Sequence, residues 1–326
     1  MGFISAGDFI DLFYKIKTRG YQFILGKASV FAETRTRNTW NNTDDQSSNW
    51  WIIEPVRKRW NKLITGNEAT AYEDYIAAKY LSGKNDISLL SVGCGNGDHE
   101  ITFANNNNIT NVTAIDIAAE PLKTAKEKAE KLNLKKIRFL NTSFQEFNPA
   151  EKFDIILFHS SLHHFKHMEK VLLKVNHLLN DKGLVIINEY AGPNMFQFGK
   201  ERKAFLNTIL KNIPENLKLR VNSKNSKTRI YEPGIIRMYI ADPSEACRSS
   251  DIMNTLNRLF DVLEEKKTGG DILHFLLKDI AQNFLTESPK TTAVLENLFS
   301  IEDDYFAEKK YSDFMFGVYQ KKSQTK

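Results

Sequence analysis

The sequence predicts an α/β fold in which a mostly parallel sheet is covered by helices on both faces. Three observations lead to this prediction. Strand and helix patterns alternate from residue 86 onward, the first strand runs into a glycine-rich turn, and the second strand ends in a carboxylate. In open sheets of this kind, ligands bind beyond the carboxyl ends of the strands, so the functional residues are expected there.

The individual elements are predicted from short apolar runs bounded by turn residues. Strands are expected near residues 88–93, 112–116, 137–140, 154–158 and 183–189. Between them, apolar residues recur at helical spacing at positions 122–132 and 171–179. Asp181-Lys182-Gly183 is predicted as a turn that leads into the fifth strand.

The first strand ends in three glycines at alternate positions, Gly93, Gly95 and Gly97. Such a turn lets a ligand approach the backbone because no side chains stand in its way. A dinucleotide-binding turn, G-x-G-x-x-G, would place its third glycine at position 98, where this chain has Asp98. The observed G-x-G-x-G pattern favours the turn with which S-adenosylmethionine (SAM) methyltransferases hold an amino acid and a ribose.

The second strand ends at Asp116, 19 residues beyond Gly97. A carboxylate at this point accepts hydrogen bonds from the two ribose hydroxyls of an adenosine ligand. Enzymes that bind NAD and enzymes that bind SAM share this device. Asp116 therefore predicts an adenosine ligand without choosing between the two.

Five segments resemble class I SAM-dependent methyltransferases in order and spacing; between residues 85 and 190 they read LLSVGCGNG, AIDIA, IRFLNTSFQEF, FDIILFHSSLHHF and KGLVIINEY. The resemblance implies a Rossmann-like seven-stranded sheet whose antiparallel end pair comes from 260–266 and 313–319. It also implies that SAM is the cofactor. The residues expected to bind it are Gly93, Gly95, Gly97, Asp116, Ile117, Ser143 and Phe144.

The adenine end of this site is assigned by position. Ile117 is expected to pack on one face of the adenine, with Ser143 and Phe144 near its edge, because these residues follow the ends of strands two and three. Two serines depart from the family pattern. The family usually has acidic residues where Ser91 and Ser143 stand, the first bracing the glycine loop and the second near the adenine amino group.

Composition is consistent with an enzyme of one large domain, or of one domain with an appendage. The 326 residues are 41% hydrophobic, and 45 basic against 40 acidic residues give a net charge of +5. This charge is modest for the length, so nucleic acid is not an expected partner. Only two cysteines are present and no apolar run is long enough to span a membrane, which predicts a cytoplasmic protein.

The chain is expected to divide into four parts. Residues 1–82 form an N-terminal helical segment, and 83–190 form the SAM-binding core. Residues 191–255 are an insertion that forms a lid over the substrate, and 256–326 complete the core with a helical insertion of their own. The four tryptophans are expected to pack into the core rather than to line a sugar site; they are Trp40, Trp50, Trp51 and Trp60.

The 191–255 insertion holds two polar patterns. Asp242-Pro243-Ser244-Glu245 is interpreted as a helix start, with Asp242 as the cap and Glu245 three residues later. A run of cations without any acid is expected to be a solvated loop or to attract a phosphate or nucleotide-sugar substrate. The run comprises Lys218, Arg220, Lys224, Lys227 and Arg229.

Catalytic residues are expected at the tips of strands four and five. His159 is the first choice for a general base, because a neutral imidazole takes a proton near neutral pH. Glu189 is second, because a carboxylate must first be desolvated, and His163 is a further candidate. No metal is expected, although His159, His163 and His167 would face one another if the segment were helical.

These observations predict a SAM-dependent methyltransferase that acts on a small molecule or a saccharide, at oxygen. Less specifically, WNKLITG, NEYAGPNMFQ and RMYIADPSEACRSS resemble a bacterial subgroup linked to the modification of sugars, polysaccharides or secondary metabolites. Three alternatives stay open: a methyltransferase acting on a macromolecule, a nicotinamide-dependent oxidoreductase, and a SAM-binding protein without transferase activity. The acceptor and the oligomeric state do not follow from the sequence.

Overall fold

A computed structural model describes residues 2–9 and 49–322 of the chain. Its central feature is a sheet of seven strands. The strands are β1 (Ile87–Val92), β2 (Ile109–Asp116), β3 (Ile137–Asn141), β4 (Phe153–His159), β5 (Leu179–Tyr190), β6 (Phe260–Gly269) and β7 (Phe314–Lys321). Their order across the sheet is β3-β2-β1-β4-β5-β7-β6.

The first five strands are parallel, and β7 lies antiparallel to both β5 and β6. This arrangement confirms the predicted seven-stranded sheet and its antiparallel end pair. The fifth strand begins at Leu179, earlier than predicted, so the expected turn lies inside β5. There Lys182 takes a left-handed conformation (φ 60°), and the pairing between β4 and β5 shifts register.

Both faces of the sheet are buried, because successive side chains of a strand point to opposite faces. Leu89 of β1 and Ile155 of β4 belong to one apolar cluster, whereas Leu90 and Ile156 belong to a second. The sheet is therefore covered on both sides, as the continuous apolar strands predict.

Ten α-helices lie between residues 49 and 322. They are α1 (Glu54–Thr65), α2 (Tyr72–Tyr80), α3 (Asp98–Ala104), α4 (Ala119–Lys131), α5 (Met168–Leu178), α6 (Lys200–Asn212), α7 (Ile235–Ala241), α8 (Ile252–Leu259), α9 (Leu273–Leu277) and α10 (Pro289–Ala307). The β5–β6 connection carries α6, α7 and α8, and the β6–β7 connection carries α9 and α10.

The tryptophans near α1 pack into the core, as predicted. Trp50 and Trp60 are each 5% exposed, their ring centroids are 5.6 Å apart, and Trp51 packs against Trp60 at 4.8 Å. Trp40 and most of the predicted N-terminal helical pattern lie outside the described residues. None of the described helices is both long and apolar enough to cross a membrane.

Candidate functional site

The glycine turn lies at the carboxyl end of β1. Gly93, Gly95 and Gly97 all have positive φ, at 74°, 51° and 73°, a conformation that glycine adopts without steric cost. Their surroundings differ. A Cβ atom on Gly93 would lie 2.6 Å from the Ser161 Cβ, and one on Gly97 would lie 2.8 Å from the Ala125 Cβ. A Cβ on Gly95 would meet nothing within 4 Å, so Gly95 is the glycine of the three that borders open space.

Asp116 ties this turn to the end of β2. Its Oδ2 accepts a hydrogen bond from the Gly95 N–H (2.8 Å), and its Oδ1 accepts one from the Ala118 N–H (2.8 Å). Burial raises the pKa of Asp116, and these two hydrogen bonds oppose that shift. A carboxylate has about four lone-pair sites, so Asp116 can accept a further hydrogen bond, as from a ribose hydroxyl. The open space at Gly95 and this carboxylate fit an adenosine-containing cofactor.

The predicted adenine end lies beyond β3. Ser143 is buried, and its hydroxyl donates to Glu146 Oε2 at 2.9 Å. The carboxylate that Ser143 lacks is thus present on Glu146, three residues later. Phe144 is 3% exposed and packs against Phe158 and Phe165. Contacts of Ile117, Ser143 and Phe144 with adenine stay a prediction.

A second departure is compensated in a similar way. The Ser91 hydroxyl donates to Glu100 Oε1 at 2.5 Å, so α3 supplies the carboxylate that the family usually has on the strand. Burial raises the pKa of Glu100, and its Oε2 is buried with no hydrogen-bond partner among the described residues. Glu100 was not among the residues predicted for the site, although an acid one turn after the glycine loop is a recognisable signal.

His159 lies at the tip of β4, as predicted, but among aromatic rings. Its ring stacks on His99 with centroids 3.5 Å apart, and its Nδ1 is 3.1 Å from the Tyr72 hydroxyl. His99 in turn pairs with Glu73 (Nδ1 to Oε1, 2.5 Å), and this partner outweighs burial and raises the pKa of His99. Burial and the His99 charge hold the pKa of His159 well below its usual value, so His159 is a weak proton acceptor.

Glu189, at the end of β5, is fully buried and bound by three donors. Its Oε1 accepts hydrogen bonds from the backbone N–H groups of Ser161 (2.5 Å) and Leu162 (2.6 Å). Its Oε2 lies 2.7 Å from His163 Nδ1. Burial disfavours a charged His163 ring, but the charge and hydrogen bond of Glu189 outweigh it and raise the pKa of His163.

The outer nitrogen of His163 faces Glu245. His163 Nε2 lies 3.6 Å from Glu245 Oε1, which is too long for a hydrogen bond. Glu245 was expected to belong to a helix start, and this expectation is wrong. Residues 243–248 form turns after α7, and Asp242 accepts hydrogen bonds from the Ser244 N–H and hydroxyl instead of capping a helix. Because this loop folds back over the strand tips, Glu245 reaches the histidines.

One group of residues in the described part of the chain has a geometry suited to a metal: His163, His164 and Glu245, with ligand atoms within 4.8 Å of one another. The ladder of His159, His163 and His167 does not form. The chain between β4 and α5 is interrupted by a 3₁₀ turn at Leu162–His164, so the three rings do not share one helix face.

With this geometry in place, comparison with known proteins identifies the family. A family model described as "Methyltransferase domain" matches residues 84–268, more than half of the chain. The chain belongs to this methyltransferase family. The match contains the glycine turn, Asp116 and the histidine–glutamate pair, and it confirms the predicted class I SAM-dependent methyltransferase, with SAM as its cofactor.

Individual relatives are more distant. A "Ubiquinone biosynthesis O-methyltransferase" of Rickettsia typhi is 30% identical over 118 residues, which are 35% of this chain and 47% of that protein. A "Malonyl-[acyl-carrier protein] O-methyltransferase" of Paenibacillus is 24% identical over 33% of this chain and 40% of its own length. The chain thus spans about half the length of the curated relatives it matches.

Among solved structures, the plantazolicin methyltransferase BpumL in complex with SAH superposes with a TM-score of 0.45. It is 18% identical, and the comparison covers 96% of this chain and 100% of that one.

Proposed function

We propose that this methyltransferase transfers the methyl group of SAM to a hydroxyl oxygen of a small molecule or a saccharide. The observation that carries the proposal is the His163–Glu189 pair. It stands at the carboxyl edge of the sheet, where the Ser161 hydroxyl also donates to the Val92 carbonyl, next to the first glycine of the turn. The relatives described above are named O-methyltransferases, which supports oxygen as the acceptor atom.

The cofactor is held by the glycine turn and by Asp116, and when bound it supplies an electrophilic methyl group. The protein must align an acceptor with that group and remove a proton if the acceptor is a hydroxyl. His163 is suited to the second task. The Nδ1–H group of the neutral ring donates a hydrogen bond to Glu189, so the lone pair of the ring lies on Nε2.

The proton has a path out of the site. As the acceptor oxygen bonds to the methyl carbon, its O–H bond breaks and the proton moves to His163 Nε2. The side chain of Glu245 is 26% exposed and lies 3.6 Å from this atom. Glu245 is therefore placed to stabilise the charged ring and to pass the proton to water. Glu189 is a positioning residue in this scheme, since its two oxygens already bind three donors.

His159 stays a second candidate for the base. Its depressed pKa favours the neutral ring, but a weak base gains little from accepting the proton of a hydroxyl. Tyr72 and His99 pack against its ring. His159 is half-buried whereas His163 is 6% exposed, so the preference for His163 rests on its raised pKa and its carboxylate partner, not on access.

The test is methyl transfer from labelled SAM to a panel of hydroxylated metabolites and saccharides, comparing the wild type with His163→Ala and His159→Ala. We expect labelled product from the wild type, and a loss of about 10²–10⁴-fold in kcat for His163→Ala with an unchanged Kd for SAM. His159→Ala serves as the matched variant. Label appearing only in protein or nucleic acid would refute the small-molecule assignment, and SAM binding without any product would indicate a binding protein.

We also propose a reducing, cytoplasmic setting. Its support is that Cys94 and Cys247 are both free thiols.

A further inference from the structure

A second carboxylate–histidine pair lies next to the glycine turn, and the proposed proton transfer does not use it. His99 is the second residue of α3, two positions after Gly97, and its Nδ1 donates a hydrogen bond to Glu73 Oε1 of α2 at 2.5 Å. The side chain of Glu73 is 6% exposed, whereas that of His99 is 31% exposed. The pair therefore consists of a buried acid and a ring that a ligand can reach.

The His99 ring is held in one orientation. Glu73 binds its Nδ1, and one face stacks on the His159 ring at the tip of β4, with centroids 3.5 Å apart. The Tyr72 ring lies 5.5 Å away on the side of α2. Within residues 2–9 and 49–322, no group bonds to His99 Nε2, and this atom is not one of the buried polar atoms. Nε2 is thus open to a ligand.

The pair favours a positively charged His99 ring. Burial acts to lower the pKa of His99, but the hydrogen bond and the charge of Glu73 outweigh burial and raise it. The neighbouring His159 has the opposite shift, since burial and the His99 charge lower its pKa. The pair as a whole is neutral, so it leaves no net charge buried. Its open end is an N–H group on a cation, which is a strong donor to an anion.

The strand order places the amino-acid part of the cofactor near this ring. Asp116, the expected ribose ligand, ends β2, and the open space at Gly95 follows β1. The order β3-β2-β1-β4 then puts β4 on the far side of β1 from the ribose. With adenine predicted beyond β3, the methionine part extends from β1 toward β4. His99 stands at that end, because it stacks on the residue at the β4 tip.

We propose that His99 Nε2 binds the carboxylate of the methionine part of SAM, and that Glu73 acts as a positioning residue that orients the ring. A charge-assisted hydrogen bond of this kind distinguishes a complete cofactor from one without its carboxylate. The inference goes beyond the proposed methyl transfer, since it concerns recognition of the cofactor and involves neither the acceptor nor His163.

The binding test compares two ligands on the full chain by calorimetry. They are S-adenosylhomocysteine (SAH) and its decarboxylated analogue, which lacks only the carboxylate. The wild type should bind SAH about tenfold or more tightly than the analogue, the effect of one charge-assisted contact. His99→Gln should weaken SAH binding about tenfold and leave the Kd of the analogue unchanged. Equal weakening of both ligands would show that the pair only supports the fold and would overturn the proposal, as would an unchanged Kd for SAH.

Two further variants serve as controls. His167→Gln makes the same replacement at an exposed histidine outside the pair and should change neither Kd. Asp116→Ala should weaken both ligands, because both carry the ribose. Equal affinity of the wild type for the two ligands would overturn the proposal. These measurements need no acceptor and no turnover, so a failure of methyl transfer would not affect them, whereas no binding of either ligand would overturn the cofactor site together with this inference.

Glu73→Gln tests the positioning role through the pH dependence of binding. In the wild type, affinity for SAH should fall as pH rises through the raised His99 pKa, because the neutral ring lacks the charge that a carboxylate favours. In Glu73→Gln this fall should occur at lower pH, since the carboxylate that raises the pKa is gone. The decarboxylated analogue should show no such fall in either protein.

The other ionisable groups around His99 are the same in both proteins; they are Asp98 and Glu100 of α3, His159 of β4 and Tyr72 of α2. A difference between the two pH profiles is therefore due to Glu73. Identical profiles for SAH in the wild type and in Glu73→Gln would overturn the positioning role. A fall of the same size for the decarboxylated analogue would overturn the contact between His99 and the carboxylate.

Discussion

Replacing Glu189 with glutamine tests the proposed roles of Glu189 and His163 most directly. The amide has the same shape, and its oxygen can still accept hydrogen bonds from the Ser161 and Leu162 N–H groups. Its NH₂ group would then face His163 Nδ1, to which Glu189 Oε2 now lies 2.7 Å away. An NH₂ group donates, so it selects the tautomer with the proton on Nε2. His163 Nε2, the nitrogen that should take the proton of the acceptor hydroxyl, would already carry a proton.

The size of the effect follows from the three contacts. Each hydrogen bond to a charged group contributes roughly 1.5–3 kcal/mol, so Glu189→Ala removes roughly 4.5–9 kcal/mol. That range is comparable to the whole stability of a typical protein, about 5–15 kcal/mol, so the alanine variant is expected to fail to fold. The glutamine variant keeps the two backbone contacts. It should fold and lose about 10²-fold or more in kcat, the contribution of base catalysis.

Two assays follow this change. The first measures the His163 pKa by NMR, with the signal assigned from His163→Gln; Glu189→Gln should lower this pKa, because the carboxylate that raises it is gone. The second measures kcat against pH. In the wild type, activity should rise with pH through the raised His163 pKa, and the variant should have low activity without that inflection. The Kd for SAM should not change.

Glu302→Gln is the matched control. Glu302 is also fully buried, accepts hydrogen bonds from the Ile272 and Leu273 N–H groups, and pairs with Arg59. Its replacement should lower stability without moving the His163 pKa or the pH profile. Wild-type turnover of Glu189→Gln, or an equal change of kcat in both variants, would show that Glu189 does not position a catalytic His163.

Four further predictions concern the cofactor site, stability and metal. Gly95→Val should abolish SAM binding in calorimetry and lower Tm, because valine is strained at φ 51° although its side chain meets open space. Gly97→Ala should lower stability by roughly 2–5 kcal/mol, from its positive φ and from a Cβ 2.8 Å from Ala125; SAM binding retained in folded Gly95→Val would contradict the assignment of the open space. Asp116→Ala should weaken SAM binding by at least about tenfold, through lost ribose contacts and the lost tie to Gly95, and an unchanged Kd would remove Asp116 from the site. The His163–Glu189 pair should contribute its full stabilisation below the unfolded histidine pKa of about 6.5, and less as pH rises through the raised folded pKa of His163. Urea midpoints should therefore fall with rising pH in the wild type, and fall less in Glu189→Gln. Turnover should be unaffected by EDTA, since the proposed base is a metal-free imidazole; a loss restored by zinc would instead indicate that His163, His164 and Glu245 bind a metal.

Local features of the chain were readable from the sequence. Three glycines at alternate positions after an apolar run specify a left-handed turn, since few other residues adopt positive φ without strain. The strands were also predictable, because an element buried on both faces leaves a continuous apolar run. Asp116 could be placed because it ends such a run at a spacing determined by one helix and one strand. In each case the constraint acts between residues close along the chain.

The residues around the proposed base were decided by tertiary structure. Glu189 approaches His163 because β4 and β5 are neighbouring parallel strands, so their tips meet although 26 residues separate the pair. Glu245 comes from a loop 82 residues beyond His163, and its motif favoured a helix start that did not form.

His159 looked the better base in the sequence because of its position at the strand tip. Its neighbours Tyr72 and His99 come from α2 and α3 and lower its pKa. A pKa depends on every charge and dipole within a few ångströms, and most of these belong to residues distant in the sequence. The sequence therefore determined where the glycine turn lies, and packing decided that His163 rather than His159 has a carboxylate partner.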